Sequence, residues 1–348
     1  IFKKGRHNVM KIVSLGIGLA VGLVLIAKVY FEQSYDDFYP DRDRVYQVWA
    51  KYQQNGGELK DYPQTSGGIA PTMQQQIPEI ETVTRYTSFG DWTFTMTDTK
   101  MKYSGRCIIA DSCFFDILPR PMLIGNAKEV LSTPMYVLIS SRIAKNIGGD
   151  VIGKNFTVDN SPGRTMTIGG VFEEVPENSH SRYDVIVSMA SAGRFMWEGS
   201  PTNMLGNDRY ISYVKLHKGV NPLALEEQVR TFVNSYFPPE EQQKVGLSID
   251  FSFHKLDNLH KELPQVKRMT WILSLLAFAL IFTAVMNYIL IVISSIVNRS
   301  KEVAVHKCYG ASENNIHGMM FGEALVHIVL SLILALLLIL AFRGTVEE

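Results

Sequence analysis

The chain has 348 residues, with 34 Lys+Arg against 34 Asp+Glu and hence no net charge. That balance argues against a nucleic-acid binder, which carries a basic excess or stripe, and against an acidic disordered tail. Three Cys are too few for a disulfide scaffold, and no CxxC or Cys/His quartet suggests a zinc site.

Length alone predicts about two domains. Charged residues are 20% of the chain and unevenly spread, with three long uncharged blocks around a polar middle. The first residue is Ile1 rather than Met, so the chain is expected to start inside a larger product.

The first block covers residues 9–30, and its core, 12–27, holds sixteen residues without a charge. With its flanks it reaches the ~20 residues that cross a bilayer. Lys3, Lys4, Arg6 and Lys11 lie at its front, as they would in a secretory signal peptide, but no small-x-small cleavage site follows cleanly. Gly18 and Gly22 form a small-xxx-small pair through which a second helix can approach closely.

Residues 31–268 read as a mixed α+β domain. Strands are predicted at 45–52, 82–88, 92–97, 101–109, 155–158, 165–172, 210–216 and 247–255, and helices at 66–76, 112–118, 140–147 and 221–236. The last is the clearest: Asn221 can cap it, Pro222 suits its first turn, and Leu225, Val229, Phe232 and Tyr236 share one face. The order predicts two lobes, a split βαβ lobe and a second lobe of about 91–190 inserted in it.

Two further apolar blocks close the chain. Residues 271–297 are twenty-seven without a charge, ~40 Å of helix against a ~30 Å hydrocarbon core. Residues 318–342 carry Glu323 and His327, then fifteen uncharged residues. Three membrane helices are therefore expected, at 9–30, 269–297 and 318–342. Arg299, Lys301 and Lys307 fall between the second and third, while Glu32, Asp36 and Asp37 follow the first. The positive-inside rule then places residues 1–8 and 298–317 in the cytoplasm, and 31–268 and 343–348 outside.

Candidate sites are few. The run GGDVIGKN at 148–155 has P-loop spacing, but Asn155 stands where Ser or Thr would hold Mg²⁺, and a helix-to-strand turn explains it better. His254 and His260 read as surface residues, and Asp36 and Asp37 as groups that solvate the end of the first helix. Cys107 and Cys113 lie in an oxidising compartment if the domain is outside; a disulfide and two free thiols both remain open. No GxSxG or paired-carboxylate site is present, so a noncatalytic chain is expected. Glu323 and His327, four apart, share a helix face. Interfacial pairing, conformational coupling and a proton relay are all readings of that pair.

Several stretches together resemble FtsX-like/MacB-like ABC permeases. They are SYDDFYP at 34–40 with RVY at 44–46, ADSCFFD at 110–116, VIGK at 151–154, GGVFEEVPENSH at 169–180 and NRSKEVAVHKCYGAS at 298–312. The last is similar to the family's cytoplasmic "R..E…RK..GAS" element, with His306 where Arg is common. The resemblance implies a permease with a MacB-like periplasmic core domain on transmembrane helices in the bacterial inner membrane.

It also implies a cytoplasmic ABC ATPase partner, a second permease copy or half, contact with membrane lipid, and a periplasmic adaptor as a further partner. Arg299, Lys301, Glu302, His306, Lys307, Gly310 and Ala311 would form the ATPase-coupling elbow. Such permeases usually have a fourth helix, so the chain is expected to be a fragment. The implied function is mechanotransmission: ATP hydrolysis drives the outer domain to extrude an antimicrobial, peptide, lipoprotein or lipid. The alternative is an ATPase-driven regulator that activates an envelope hydrolase or sensor kinase without moving cargo.

Overall fold

The computed structural model describes residues 8–159, 161–298, 304–305, 308–309 and 313–342. The chain divides into two compact units, Ile1–Ser34 with Lys261–Glu348, and Tyr35–His260.

The first unit opens with helix α1, Asn8–Gln33. The second unit is built on one 11-stranded sheet. Its first part uses β1 (Val45–Gln54), the exposed β2 (Leu59–Tyr62), α2 (Ile69–Gln76) and the 17-residue β3 (Ile80–Met96). Next along the chain come β4 (Lys102–Ala110), α3 (Phe114–Ile117), β5 (Met122–Ile124), α4 (Ala127–Ser132), β6 (Tyr136–Ser140), α5 (Ser141–Ile147), β7 (Asn155–Val158), β8 (Ser161–Phe172) and β9 (Val185–Ser188). The chain then returns through β10 (Ile211–Leu216), α6 (Glu226–Tyr236), α7 (Pro239–Val245) and β11 (Leu247–Lys255).

Strands β11, β1, β10 and β3 lie side by side in that order, each antiparallel to its neighbour. β1 and β3 therefore run the same way with β10 between them, joined through α2. β10 and β11 run the same way with β1 between them, joined through α6. These are two interlocked split βαβ units. Both helices cover one face, where Ile69, Met73, Val229 and Phe232 pack on Val48, Ala50 and Val214.

The remaining strands close on themselves. β3 pairs with β4, β4 with β9, β9 with β6, β6 with β8, β8 with β7, and β7 with β3 again. This ring encloses Phe94, Cys107, Val137, Phe156, Ile168 and Val187. A barrel without a free edge satisfies its backbone groups internally. The alternate residues of the same strands, Ile108, Leu138 and Ile186, face a second core with Phe114, Phe172 and Tyr183. Residues 107–110 of β4, 137–140 of β6 and the whole of β9 are thus buried on both faces.

Several expectations change. The strands predicted at 82–88 and 92–97 are one, β3, with a register shift between Ser88 and Gly90. One sheet passes through both predicted lobes, because β3 belongs to both. Strands β2, β5, β6 and β9 and helices α4 and α7 had no predicted counterpart. The helix expected at 221–236 opens with a 3₁₀ turn, Pro222–Leu225, before α6.

The first unit is completed by α8 (Pro264–Asn298) and α9 (Glu313–Ala341). Among the described residues, three helices, Asn8–Gln33, Pro264–Ser294 and Met320–Ala341, are long and apolar enough to cross a membrane by length and composition. Leu275, Phe278, Phe282, Leu336 and Leu340 are exposed on their surfaces. Helices that are apolar all round need an apolar solvent.

Candidate functional site

The second unit begins and ends at one place, its neck. Tyr35, its first residue, stacks on His260, its last, with ring centroids 3.4 Å apart and planes 7° from parallel. Arg42 reaches Asp257 at 3.6 Å and Asp37 at 3.7 Å, tying the same two ends by charge.

Beside this stack Asp36 is fully buried, at 0% exposure, with φ +61°. That is a left-handed conformation that Asp tolerates better than most residues. Its amide donates to the Asn178 carbonyl at 2.9 Å. Its carboxylate accepts from Ser179 Oγ at 3.1 Å, the His180 amide at 3.3 Å and His180 Nδ1 at 2.7 Å.

His180 Nε2 lies 2.5 Å from Tyr213 Oη and 3.1 Å from Ser181 Oγ, which meets Tyr86 Oη at 2.6 Å. Burial pushes the Tyr86 phenol up to about 12 and the Tyr213 phenol well above its usual range. Both hydroxyls therefore stay neutral in the network.

Asp, His and Ser in series resemble a nucleophilic triad in composition. Ser181 and Tyr213 are buried, however, and bond to one another's neighbours rather than to an open cleft. The cluster holds the chain. The expectation that Asp36 solvates a helix end is overturned, because a carboxylate with three bonded donors at zero exposure is a structural anchor. His260 is a stacked ring. His254 stacks on Trp49 at 4.2 Å and meets Ser252 Oγ at 3.0 Å, so neither is a free surface histidine.

The other quoted stretches also do positioning work. Asp111 accepts from the Arg85 amide at 3.0 Å and from Arg85 Nε at 3.2 Å, while Arg85 Nη1 donates to the Gly67 and Pro201 carbonyls. This buried pair clamps two loops onto β3. A Cβ on Gly169 would lie 2.8 Å from Val130, and one on Gly170 2.8 Å from Leu138, so only glycine lets β8 approach α4 and β6 so closely.

The P-loop lookalike is a turn between α5 and β7. Its Gly153 amide donates to Ile168 O at 2.8 Å, and Lys154 Nζ lies 3.4 Å from Gly148 O. Cys107 and Cys113 are both free, with their thiols pushed up by burial, and Cys113 Sγ donates to Val83 O at 3.0 Å.

In the helical unit, a Cβ on Gly18 would sit 2.2 Å from Ala284 Cβ, and one on Gly22 2.4 Å from Ile281 Cγ1. Both glycines face α8, whereas Gly16 faces Leu334 of α9. His327 is buried, its ring edge-on to Tyr288 at 6.4 Å, and Tyr288 Oη lies 3.5 Å from the Ala324 carbonyl. One turn on, Ser331 Oγ donates to His327 O at 2.8 Å and Ile12 O at 3.1 Å, linking α9 to α1. Glu323 lies one turn before His327 on α9. Arg299, Lys301, Glu302, His306, Lys307, Gly310 and Ala311 lie outside the described residues. Among the described residues, no group of three or more His, Cys, Asp or Glu could hold a metal ion.

The signal for the neck was present but unread. An Asp-Asp pair shortly after a helix and a His closing VPENSH are unremarkable separately, and the pairing of Asp36 with His180 spans 144 residues of chain.

Residues 10–232 match the MacB-like periplasmic core domain, and residues 274–347 match the FtsX-like permease C-terminal region. A crystallised domain of a predicted permease from Porphyromonas gingivalis is 33% identical, with a TM-score of 0.57 over 62% of this chain and 91% of that one. The extracellular domain of the ABC-type transporter YknZ from Gram-positive bacteria is 11% identical over 60% of this chain and 98% of that one. Its TM-score is 0.41, a distance at which no common fold follows. No curated protein matches the chain. With the core-domain match covering more than half of the sequence and the permease match covering its end, the chain belongs to the MacB/FtsX-like permease family of ABC transporters.

Proposed function

We propose that the chain is the noncatalytic permease subunit of an ABC transporter, and that it passes the work of a partner ATPase to its outer domain. On this reading residues 1–8 and 298–317 are cytoplasmic. Helices at 9–30, 269–297 and 318–342 cross the bacterial inner membrane, and 31–268 is the periplasmic core domain with its two lobes. Arg299, Lys301, Glu302, His306, Lys307, Gly310 and Ala311 form the elbow that the ATPase engages, and a second permease copy completes the assembly. Gly18 and Gly22 serve as a helix-packing seam, and Glu323 with His327 as an intramembrane polar pair.

The observation that carries this reading is the neck. The first residues after α1 are pinned into the base of the core domain by Asp36 and His180, and the residue that leaves the domain is stacked on the one that enters it. A displacement transmitted along the chain from a helix then reaches a stiff base rather than a slack linker. The mechanism needs no chemistry at the outer domain: the ATPase supplies the energy, and the chain converts it into movement.

The test is co-purification with a candidate ABC ATPase from the same cell, followed by ATPase assays in nanodiscs with Glu302→Ala and Lys307→Ala combined. The double variant is expected to lose most of the permease-dependent ATPase stimulation while keeping its expression and detergent stability. Unaltered stimulation would remove the elbow from the mechanism.

A further inference from the structure

Away from the neck, a cavity of about 660 Å³ opens at one end of the four-stranded part of the sheet. Its walls include Tyr52 on β1, Tyr62 on β2, Phe237 and Val245 around α7, and Leu205. The volume falls within the roughly 300–1,000 Å³ of small-molecule sites, and so does the makeup, with apolar walls and few polar groups. Tyr62, Leu205 and Val245 are exposed at the rim, Val245 at 64%. Apolar side chains grouped around a concavity mark a binding surface more than a solvated one.

One acid, Asp208, lines this apolar space. Its carboxylate accepts from Tyr52 Oη at 2.5 Å and from Ser66 Oγ. Among the described residues no Lys, Arg or His nitrogen lies within ion-pair distance of it. Burial and the bond to Asp208 push the Tyr52 phenol far above its usual range, so Tyr52 stays a donor and fixes the carboxylate in place. Two neutral hydroxyls orient the charge without cancelling it.

We propose that this cavity binds a compact apolar molecule carrying an amine or guanidinium group, with Asp208 as its counter-ion and the tyrosine and aliphatic walls around its body. Charge complementarity selects the cation, and the concave shape selects a small molecule over a flat protein face. A charge-assisted bond in a partly desolvated site is strong enough to separate a cationic ligand from its neutral isostere about tenfold. This assignment does not depend on the transport reading, since binding is measured with no ATPase present.

The experiment titrates 2-(2-naphthyl)ethylamine, and separately 2-(2-naphthyl)ethanol, into the full chain in nanodiscs by calorimetry. Wild type is expected to bind the amine about tenfold or more tightly than the alcohol. Asp208→Asn is expected to bring the two together, and Leu205→Trp, which fills the cavity from its rim, to weaken both. Comparison with the variants in the same lipid removes partitioning into the bilayer.

Equal affinities in wild type, a preference that survives in Asp208→Asn, or no binding at millimolar ligand would overturn the proposal. So would concentration-dependent self-association that Val245→Glu dissolves, because the face would then belong to a second copy. If circular dichroism shows Asp208→Asn to be unfolded, Leu205→Trp decides: an amine affinity unchanged in that variant also overturns it.

Discussion

At the scale of single residues, the neck shows why a charged side chain belongs in a core. Asp36 tolerates complete burial because three donors surround its carboxylate, two of them from His180 and one from Ser179, while the Asn178 carbonyl takes its amide. Removing one partner exposes the full cost of the buried charge. His180→Ala is expected to destabilise the core domain by about 3 kcal/mol, whereas Tyr213→Phe, which deletes one hydroxyl, should cost about 1 kcal/mol. Urea unfolding followed by tryptophan fluorescence separates the two; equal costs would show that Asp36 does not depend on the imidazole.

A second acid gives the pH dependence. Hydrogen bonds from Lys215, then from Arg44, hold the Asp41 carboxyl below its ordinary 3.8. The folded state therefore binds fewer protons than the unfolded state once pH falls below about 4, and stability rises with pH through that window. The contribution is complete above the unfolded value and is lost as pH drops through the folded one. Asp41→Asn should flatten the acid limb of a stability curve between about pH 4 and 2 and leave it unchanged near neutrality. A variant curve parallel to wild type throughout would deny Asp41 that role.

At the scale of elements, glycine decides how closely helices and strands meet. Gly18 faces Ala284 at a distance no Cβ can share. Gly18→Leu is expected to cost about 1–3 kcal/mol through overpacking, read as a lowered melting midpoint in detergent. Ile17→Leu, on the exposed side of α1, should leave that midpoint in place.

Legibility in the sequence follows burial. Strand β11 and helix α6 were readable because one face is apolar and the other wet, which gives a clear period. Strands β6 and β9 escaped notice because both of their faces are covered, one by the barrel interior and one by the Phe114 core. What remains is a short unbroken apolar run, VLIS or VIVS, with no alternation to detect.

At the scale of the whole molecule, the distribution of charge makes a prediction about sides. In spheroplasts, a membrane-impermeant maleimide should label Leu223→Cys in a Cys308→Ser background, because residue 223 is exposed on the core domain. Native Cys308, also exposed, should react only after the membrane is broken. Labelling of both from the same side would contradict the topology and end the mechanotransmission reading.

The sequence by itself determined the class: three uncharged blocks around one polar region, ordered motifs along the whole length, and a charge bias across each block. These are one-dimensional properties, because bilayer thickness and loop charge act on local segments of chain. Only the tertiary structure decided that β3, β4 and β6 to β9 close into a barrel, and that Asp36 finds His180. It alone placed Asp208 on the wall of an apolar cavity. Each of these depends on residues brought together across tens to hundreds of positions, and no local periodicity records such a meeting.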